Sequence, residues 1–507
     1  MNRFESNVQY IKYLVNKEVV RRFFADEILN TSDAIREMSE VIIPGPKALF
    51  RCCIYRERHI VERRIELVLA PRSDNRIINV VNSACDECPV DRFVVTDVCR
   101  GCLSHKCLEV CPRNAIHIVQ HRAYINQNLC IECGRCKPAC PFNAISDVKR
   151  PCLRACPVDA VEMSDEKKAI IDHEKCISCG ACVYHCPFGA IVDRSFVLDV
   201  LNLIKSSWNH LNYKVVAIVA PSIASQFPAA KMGQVFSAIK EIGFYDVYEA
   251  AIGGDMVAVA EAREFAHTVG ELGWKTTSCC PSFVEYVKHN HPEFMPHVST
   301  TVSPMIALAR LIKQQSPRTK VIFIGPCTSK KVEIREDDLE GVVDYVLTFG
   351  ELNAIFDAKE FVLTDFEESK AGSPSYYGRV FGRSGGVMES VLKVAEVENL
   401  GVEIKPIRCN GIDECIKTMR LAAAGRLDAN FIEGMACKNG CTGGAASLNH
   451  GEKGVHMLNM FGKEATTTNP LDVIAEYKME EINMERDFSF LNITNESDPP
   501  VEGDSAE

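Results

Sequence analysis

A chain of 507 residues with 47% apolar content can bury real cores, and its length suggests about three domains. The net charge of −11 says little about partners, because residues 483 to 507 alone contribute −6, seven acids against one Arg. Between Cys85 and Arg194 there are 14 acids and 14 bases, which leaves no basic stripe for nucleic acid. No apolar run reaches membrane-spanning length, and the charged start MNRFESNVQYIKYLVNKEVVRR lacks the apolar core and cleavage site of a signal peptide. A cytoplasmic protein is the expectation, and 25 cysteines then point to metal binding rather than to a disulfide framework.

Residues 1–80 read as a helical N-terminal region, with helical periodicity in VQYIKYLVNKEVVRRFFADEIL and SDAIREMSEVI broken at IPGPK. Cys52 and Cys53 follow, without ligand spacing, and are expected to be buried or incidental thiols. Residues 81–200 hold an internal repeat: NLCIECGRCKPACPFNAI at 128–145 recurs as EKCISCGACVYHCPFGAI at 174–191, and CLEVCPRNAI from Cys107 recurs loosely as CLRACPVDAV from Cys152. Eighteen cysteines precede residue 190 and seven follow 278, so two separate systems are present.

The repeated C-x2-C-x2-C-x3-C-P run is the bacterial ferredoxin signature, in which three thiolates grip one 4Fe-4S cube and the fourth reaches the neighbouring cube. Zinc is the competing reading, but zinc sites use two pairs of ligands and need no Pro-fixed fourth Cys. Crossing over the last ligands gives Cys99, Cys102, Cys107 with Cys140 for one cube and Cys130, Cys133, Cys136 with Cys111 for a second. The remaining thiols fit if one ferredoxin unit is inserted inside the other. Cys176, Cys179, Cys182 and Cys156 then hold a third cube, and Cys85, Cys88, Cys152 and Cys186 a fourth. Four-cluster subunits of molybdenum oxidoreductases are similarly nested. Such a row moves electrons without bond chemistry of its own.

From about residue 205 to 482 strands and helices alternate, in YKVVAIVAPS, AAKMGQVFSAIKEIG, TKVIFIGPC, DYVLTFGELNAIF and LDANFIEGMAC. The strand candidates end in small, Pro-bearing or Cys-bearing turns, where parallel sheets present ligands. In KTTSCCPSF, Cys279 and Cys280 adjoin behind a strand-like run; neighbours on a strand face opposite ways, so both should not bind one metal in the usual manner. Residues 483–507 read as an acidic disordered tail.

Three of these contexts, TSCCPSF, GPCTSKKVE and EGMACKNGCTGG, resemble in order and spacing the three signature motifs of the di-iron (FeFe) hydrogenases, and the resemblance extends to APS at 220–222 and SGGVMES at 384–390. It implies nested ferredoxin-like domains followed by a two-lobed α/β iron-hydrogenase catalytic domain. It also implies an H-cluster, a 4Fe-4S cube bridged to a di-iron centre with carbon monoxide, cyanide and dithiolate ligands. Matched residue by residue, Cys280, Cys327, Cys437 and Cys441 would hold the cube, with Cys441 as the bridge. Cys437 and Cys441, four apart, would share a face if their segment were helical. Lys330 matches the clamp on an iron-bound cyanide, and Ser222 and Met435 fall where the di-iron unit is lined. The family's proton relay maps onto Cys279, Glu261, Glu264 and Ser303. Cys409 and Cys415 remain over, as inert thiols of a helix-capping turn.

The sequence departs from the usual pattern at Gly325 for Met, Phe283 for Trp, and GGAAS after Cys441, which resembles the family's group B. The implied function is reversible hydrogen oxidation and proton reduction, with ferredoxin or a similar one-electron carrier as partner and maturation proteins inserting the di-iron unit. The alternatives are a hydrogenase-like iron-sulfur assembly protein, whose kind tends to lack the doubled cysteine, and a hydrogen sensor, whose kind replaces the first cysteine and appends a signalling domain.

Overall fold

The computed structural model describes residues 4–27, 30–51, 53–70, 76–85, 88–477 and 481–486; Cys52 and residues 487–507 of the expected tail lie outside them. The chain forms two compact units, Met1–Leu198 with Asn353–Lys359, and Asp199–Leu352 with Glu360–Glu507. No described helix is long and apolar enough to cross a membrane.

In the first unit, helices Asn7–Phe24, Ser32–Ile42 and Ile54–Leu69 pack around Val15, Val19, Met38, Val61 and Ile65. Ser6 and Thr31 cap the first two by accepting from Gln9 N and Ala34 N. The first helix stops at Phe24, short of the expected Leu29, where Asp26 takes a left-handed φ of 54°. The expected boundary at residue 80 is not a domain boundary. Strand Ile78–Val80 pairs antiparallel with Ile191–Asp193, Lys12 pairs with Asp193, and Arg64 donates to the carbonyls of Phe188 and Gly189 at 3.3 and 2.9 Å. These long-range bonds weld the helices to the cysteine-rich region.

Strand pairing in that region is nested. Phe93–Val95 pairs with Ile145–Asp147 and Ile116–Val119 with Arg122–Ile125, closing an inner unit around Phe93, Ile116 and Ile125. The outer unit is made of the Ile78–Val80 and Ile191–Asp193 pair, which brackets the inner one in sequence, together with Val161–Met163 paired to Ala169–Ile171.

The second unit is α/β with two parallel sheets. The larger has the order Asp246–Glu249, Val215–Val219, Lys320–Gly325, Tyr345–Thr348, and the smaller the order Lys275–Thr276, Phe431–Met435, Pro406–Asn410. Val215–Val219 and Phe431–Met435 are buried at every position, as expected of central parallel strands covered on both faces. Helix Ala250–Leu272 packs closely on helix Pro304–Gln315, where Gly253 leaves room for the Pro304 carbonyl: a Cβ there would sit 2.0 Å from its oxygen.

The start of the expected disordered tail is ordered. Arg486, 8% exposed, pairs with Glu336 and Asp338, its N–H donates to Thr300 O at 2.7 Å, and Val302 N donates to Met484 O at 2.8 Å. The single base of that segment is therefore a buried anchor, invisible in a composition that reads only as acidic.

Candidate active site and cluster sites

The structure brings the cysteines of the first unit together in quartets. Cys99, Cys102, Cys107 and Cys140 line one pocket, and Cys111, Cys130, Cys133 and Cys136 line another. Burial, then the charges of Cys186, Cys88 and Cys85, push the Cys152 thiol up to about 11; burial, then Cys179, Cys176 and Cys156, push Cys182 higher still. Four thiols crowded in this way hold as thiolates only on a cationic core. Among the described residues no three Cys, His, Asp or Glu side chains gather as the ligands of one ion. The thiols of the first two quartets each line one pocket, an arrangement that fits the corners of a cube.

Backbone amides complete these sites in a repeated way. Ala115, Ala144, Ala160 and Ala190 each donate N–H to the sulfur four residues earlier, Cys111, Cys140, Cys156 and Cys186, at 3.1 to 3.3 Å. Ala123 N donates to Cys99 at 3.4 Å and Ala169 N to Cys85 at 3.3 Å. N–H donors to sulfur are among the features that tune an iron-sulfur potential.

In the second unit the signature residues stand after the C-terminal ends of strands: Ser222 after Val219, Cys279 and Cys280 after Thr276, Cys327 after Gly325, Cys437 after Met435. The strand before the doubled cysteine ends at Thr276, so the pair occupies a strand-to-helix turn rather than a strand. Cys280 is the extended N-cap of helix Pro281–Asn290. Cys437 and Cys441 do not lie on an α-helix. Asn439 and Gly440 take φ of 64° and 68°, and Gly440–Gly443 forms a single 3₁₀ turn whose first N–H bonds to Cys437 O at 3.1 Å.

Cys280, Cys327 and Cys441 act on one another electrostatically, and burial, then Cys327 and Cys280, push the Cys441 thiol up to about 12. Lys330, 8% exposed, belongs to the same cluster; its Nζ lies 2.6 Å from Glu333 and donates to Cys279 O at 3.5 Å. Burial alone would push its ammonium down, but Glu333, Cys327 and Cys279 outweigh that and hold it above an ordinary lysine. Lys331, fully buried, is a separate pair with Glu351 at 3.2 Å. Cys441 N donates to Gly382 O at 2.7 Å, and a Cβ at Gly382 would lie in ordinary contact with Cys441, 3.6 Å from its Cβ.

Cys279, 8% exposed, is pushed up by burial and then by the charges of Glu261, Cys280 and Cys441. Both glutamates lie on helix Ala250–Leu272 but in opposite settings. Glu261 accepts from Ser278 N at 3.1 Å and Ser278 Oγ at 3.4 Å, and burial pushes its carboxyl up to about 8. Glu264 is held below the usual range against its burial, because Lys275 pairs with it and Ser299, Thr300 and Thr301 donate to it. Ser303, 1% exposed, caps helix Pro304–Gln315 with its Oγ unbonded; Ser222 Oγ and Glu261 Oε2 are likewise buried and unbonded. Such groups suit a site that receives a polar ligand and passes protons.

Sequence reasoning missed Ser278, Lys275, Glu333 and Glu433. Only Glu333 carried a local signal, three residues after Lys330 in SKKVE. Glu433 is fully buried, accepts from Met388 N at 2.8 Å and from Gly385 N, acts on both Cys279 and Cys441, and is pushed by burial to about 7.

Residues 213–445 match the family model described as "Iron only hydrogenase large subunit, C-terminal domain", and residues 123–146 and 169–192 match "4Fe-4S binding domain". Residues 213–445 are therefore FeFe hydrogenase-like in sequence, at a divergent level of identity. Iron hydrogenase 1 of Clostridium pasteurianum is 26% identical to it over 48% of this chain and 52% of that relative. Cytosolic iron-sulfur assembly component 3 of Pongo abelii is 28% identical over 50% of this chain and 65% of the relative, so the chain spans between half and two thirds of these proteins. A solved structure of the FeFe hydrogenase HydA1 from Chlamydomonas reinhardtii aligns with TM-score 0.48 at 21% identity, over 57% of this chain and 95% of that one.

Two departures from the FeFe hydrogenase pattern are filled from within. A Cβ on Gly325 would lie 2.5 Å from the Phe323 ring, and one on Gly434 would lie 2.3 Å from the Phe283 ring. Restoring the usual residue with Gly325→Met therefore lowers thermal stability by about 1–3 kcal/mol. Adding Phe323→Ala recovers part of that loss in the same melting experiment.

Proposed function

We propose that this chain is a ferredoxin-linked FeFe hydrogenase that interconverts hydrogen with protons and electrons. The supporting observation is the gathering of Cys280, Cys327 and Cys441 about a buried Lys330, with a separate buried thiol, Cys279, on which both Glu261 and the cysteines Cys280 and Cys441 act. In this reading Cys280, Cys327, Cys437 and Cys441 hold the cube of an H-cluster, which when bound supplies the reversible two-electron chemistry. Lys330, steadied by Glu333, offers a cationic donor to an anionic ligand in a dry pocket. Ser222 and Met435 are the residues that would line the di-iron unit. Cys279, Glu261, Ser303 and Glu264 carry protons, with Ser278 orienting the Glu261 carboxyl.

The four quartets of the first unit hold 4Fe-4S clusters that exchange electrons with ferredoxin or a similar carrier in an anaerobic cytoplasm, and maturation proteins insert the di-iron unit. Protein matured without oxygen shows infrared bands of iron-bound carbonyl and cyanide, and evolves hydrogen from reduced ferredoxin or a viologen. Absence of the bands after maturation would sink the enzyme reading. The second reading, a role in iron-sulfur assembly, is favoured by the assembly component among the relatives. It expects the cubes without those bands and without turnover.

A further inference from the structure

Cations stand near several of the cysteine quartets, but in different surroundings. Arg100 and Lys106 beside the first quartet, and Arg113 and Arg135 beside the second, are open to solvent, so water screens their charge. Arg150 is different. It is 5% exposed, its Nη1 lies 3.7 Å from Cys85 Sγ, and its Nε donates to Pro89 O at 3.1 Å. The quartet it touches, Cys85, Cys88, Cys152 and Cys186, is also the driest, with Cys85, Cys152 and Cys186 at 4–5% exposure. Two amides, Ala169 N and Ala190 N, donate to the same set of sulfurs. A second buried guanidinium, Arg64, binds the carbonyls of Phe188 and Gly189 just past Cys186 and acts on that thiol.

Reduction of a 4Fe-4S cube adds one electron and one negative charge to the thiolate-bound group. Burial disfavours that charge, whereas a buried cation and N–H donors at the sulfurs favour it. At the third quartet Cys182 is 8% exposed, and Asp172, which acts on its Cys176, is half-buried and paired with Lys175 at 2.7 Å, so its charge is largely offset. At the fourth quartet the guanidinium of Arg150 meets sulfur in a dry environment, where the interaction is screened least.

We propose that Arg150 makes the cluster held by Cys85, Cys88, Cys152 and Cys186 the accessory cluster of highest reduction potential, the first in this chain to accept an electron. The proposal rests on that quartet binding a cluster at all. Arg150 is a positioning residue for charge, since it touches a ligand and not a substrate. The cluster then serves as the electron reservoir of the chain, filled before the more exposed cubes and drained last.

The test is an EPR-monitored redox titration of the full, anaerobically reconstituted chain. The first signal to appear as the potential falls is expected to be lost in Cys152→Ser together with about four irons. That signal shifts to more negative potential in Arg150→Gln at unchanged iron content. Arg150→Lys keeps most of the wild-type potential, and Arg113→Gln leaves it where it was. An unchanged iron count in Cys152→Ser would overturn the cluster itself. A first signal that survives Cys152→Ser while iron falls, or that does not move in Arg150→Gln, would overturn the role of Arg150 alone.

Discussion

On the hydrogenase reading, Cys279→Ala is expected to lower hydrogen turnover by about 100-fold or more, while the iron content and the infrared bands of the di-iron unit stay as in the parent protein. The thiol is buried, and the charges that act on it are those of Glu261 and of Cys280 and Cys441, the proposed cluster ligands. Burial, then the charge of Glu261, push it up, so it remains a neutral S–H that can give and take a proton. An alanine of nearly the same size removes that hydrogen without opening a cavity comparable to loss of a large side chain, so the effect falls on rate rather than on folding. Cys279→Ser, which keeps a donor and acceptor of different acidity, recovers little. Turnover of the Ala variant within a factor of about three of the parent, with the bands intact, would remove Cys279 from the proton path.

What was legible in the sequence was whatever local spacing encodes. The ferredoxin runs fix three ligands of a cube within a few residues, and the nesting followed from counting the thiols left over. The pairing of Ile78–Val80 with Ile191–Asp193 around the inner unit has the same logic in strands. The parallel-strand edge was legible because the central strands are mostly apolar runs that end just before Ser222, Cys327 and Cys437.

What was hidden depends on contacts between distant residues. Lys275 meets Glu264 from a strand that the sequence marks only as a prelude to the cysteines, and Arg150 meets Cys85 across 65 positions. Arg486 looked like a stray base in an acidic tail, yet Glu336 and Asp338 bury it. At Cys437 and Cys441 the condition for sharing a helix face is not met: i, i+4 spacing fits a helix, but Asn439 and Gly440 adopt left-handed conformations that end one.

Glu261→Gln reduces turnover and at the same time makes the protein more stable than the parent at alkaline pH. The two effects have one origin. The Glu261 carboxyl has a pKa of about 8 in the folded chain against 4.5 as its ordinary value, chiefly through burial, with Glu264 adding to the rise and the Ser278 hydrogen bonds opposing it. A carboxyl near 8 holds its proton at neutral pH and can release it without a large penalty, which is what a proton relay needs. Because the folded state binds a proton that the unfolded state has lost, stability is fully present below pH 4.5 and falls as pH rises through about 8. A one-unit difference in pKa between folded and unfolded chain is worth about 1.4 kcal/mol, so the accumulated cost by about pH 9 is on the order of a few kcal/mol. Gln has no proton to lose. Asp255 and Glu433, both pushed up to about 7 by burial, leave a similar slope in parent and variant alike, so the difference between the two melting curves isolates Glu261. Denaturant unfolding from about pH 5 to about pH 9 is therefore expected to show a gap that grows in favour of the Gln variant, alongside a loss of about 100-fold in hydrogen evolution. A gap that stays constant with pH would mean that Glu261 is ionised in the folded chain, and with that the relay would lose its neutral acid.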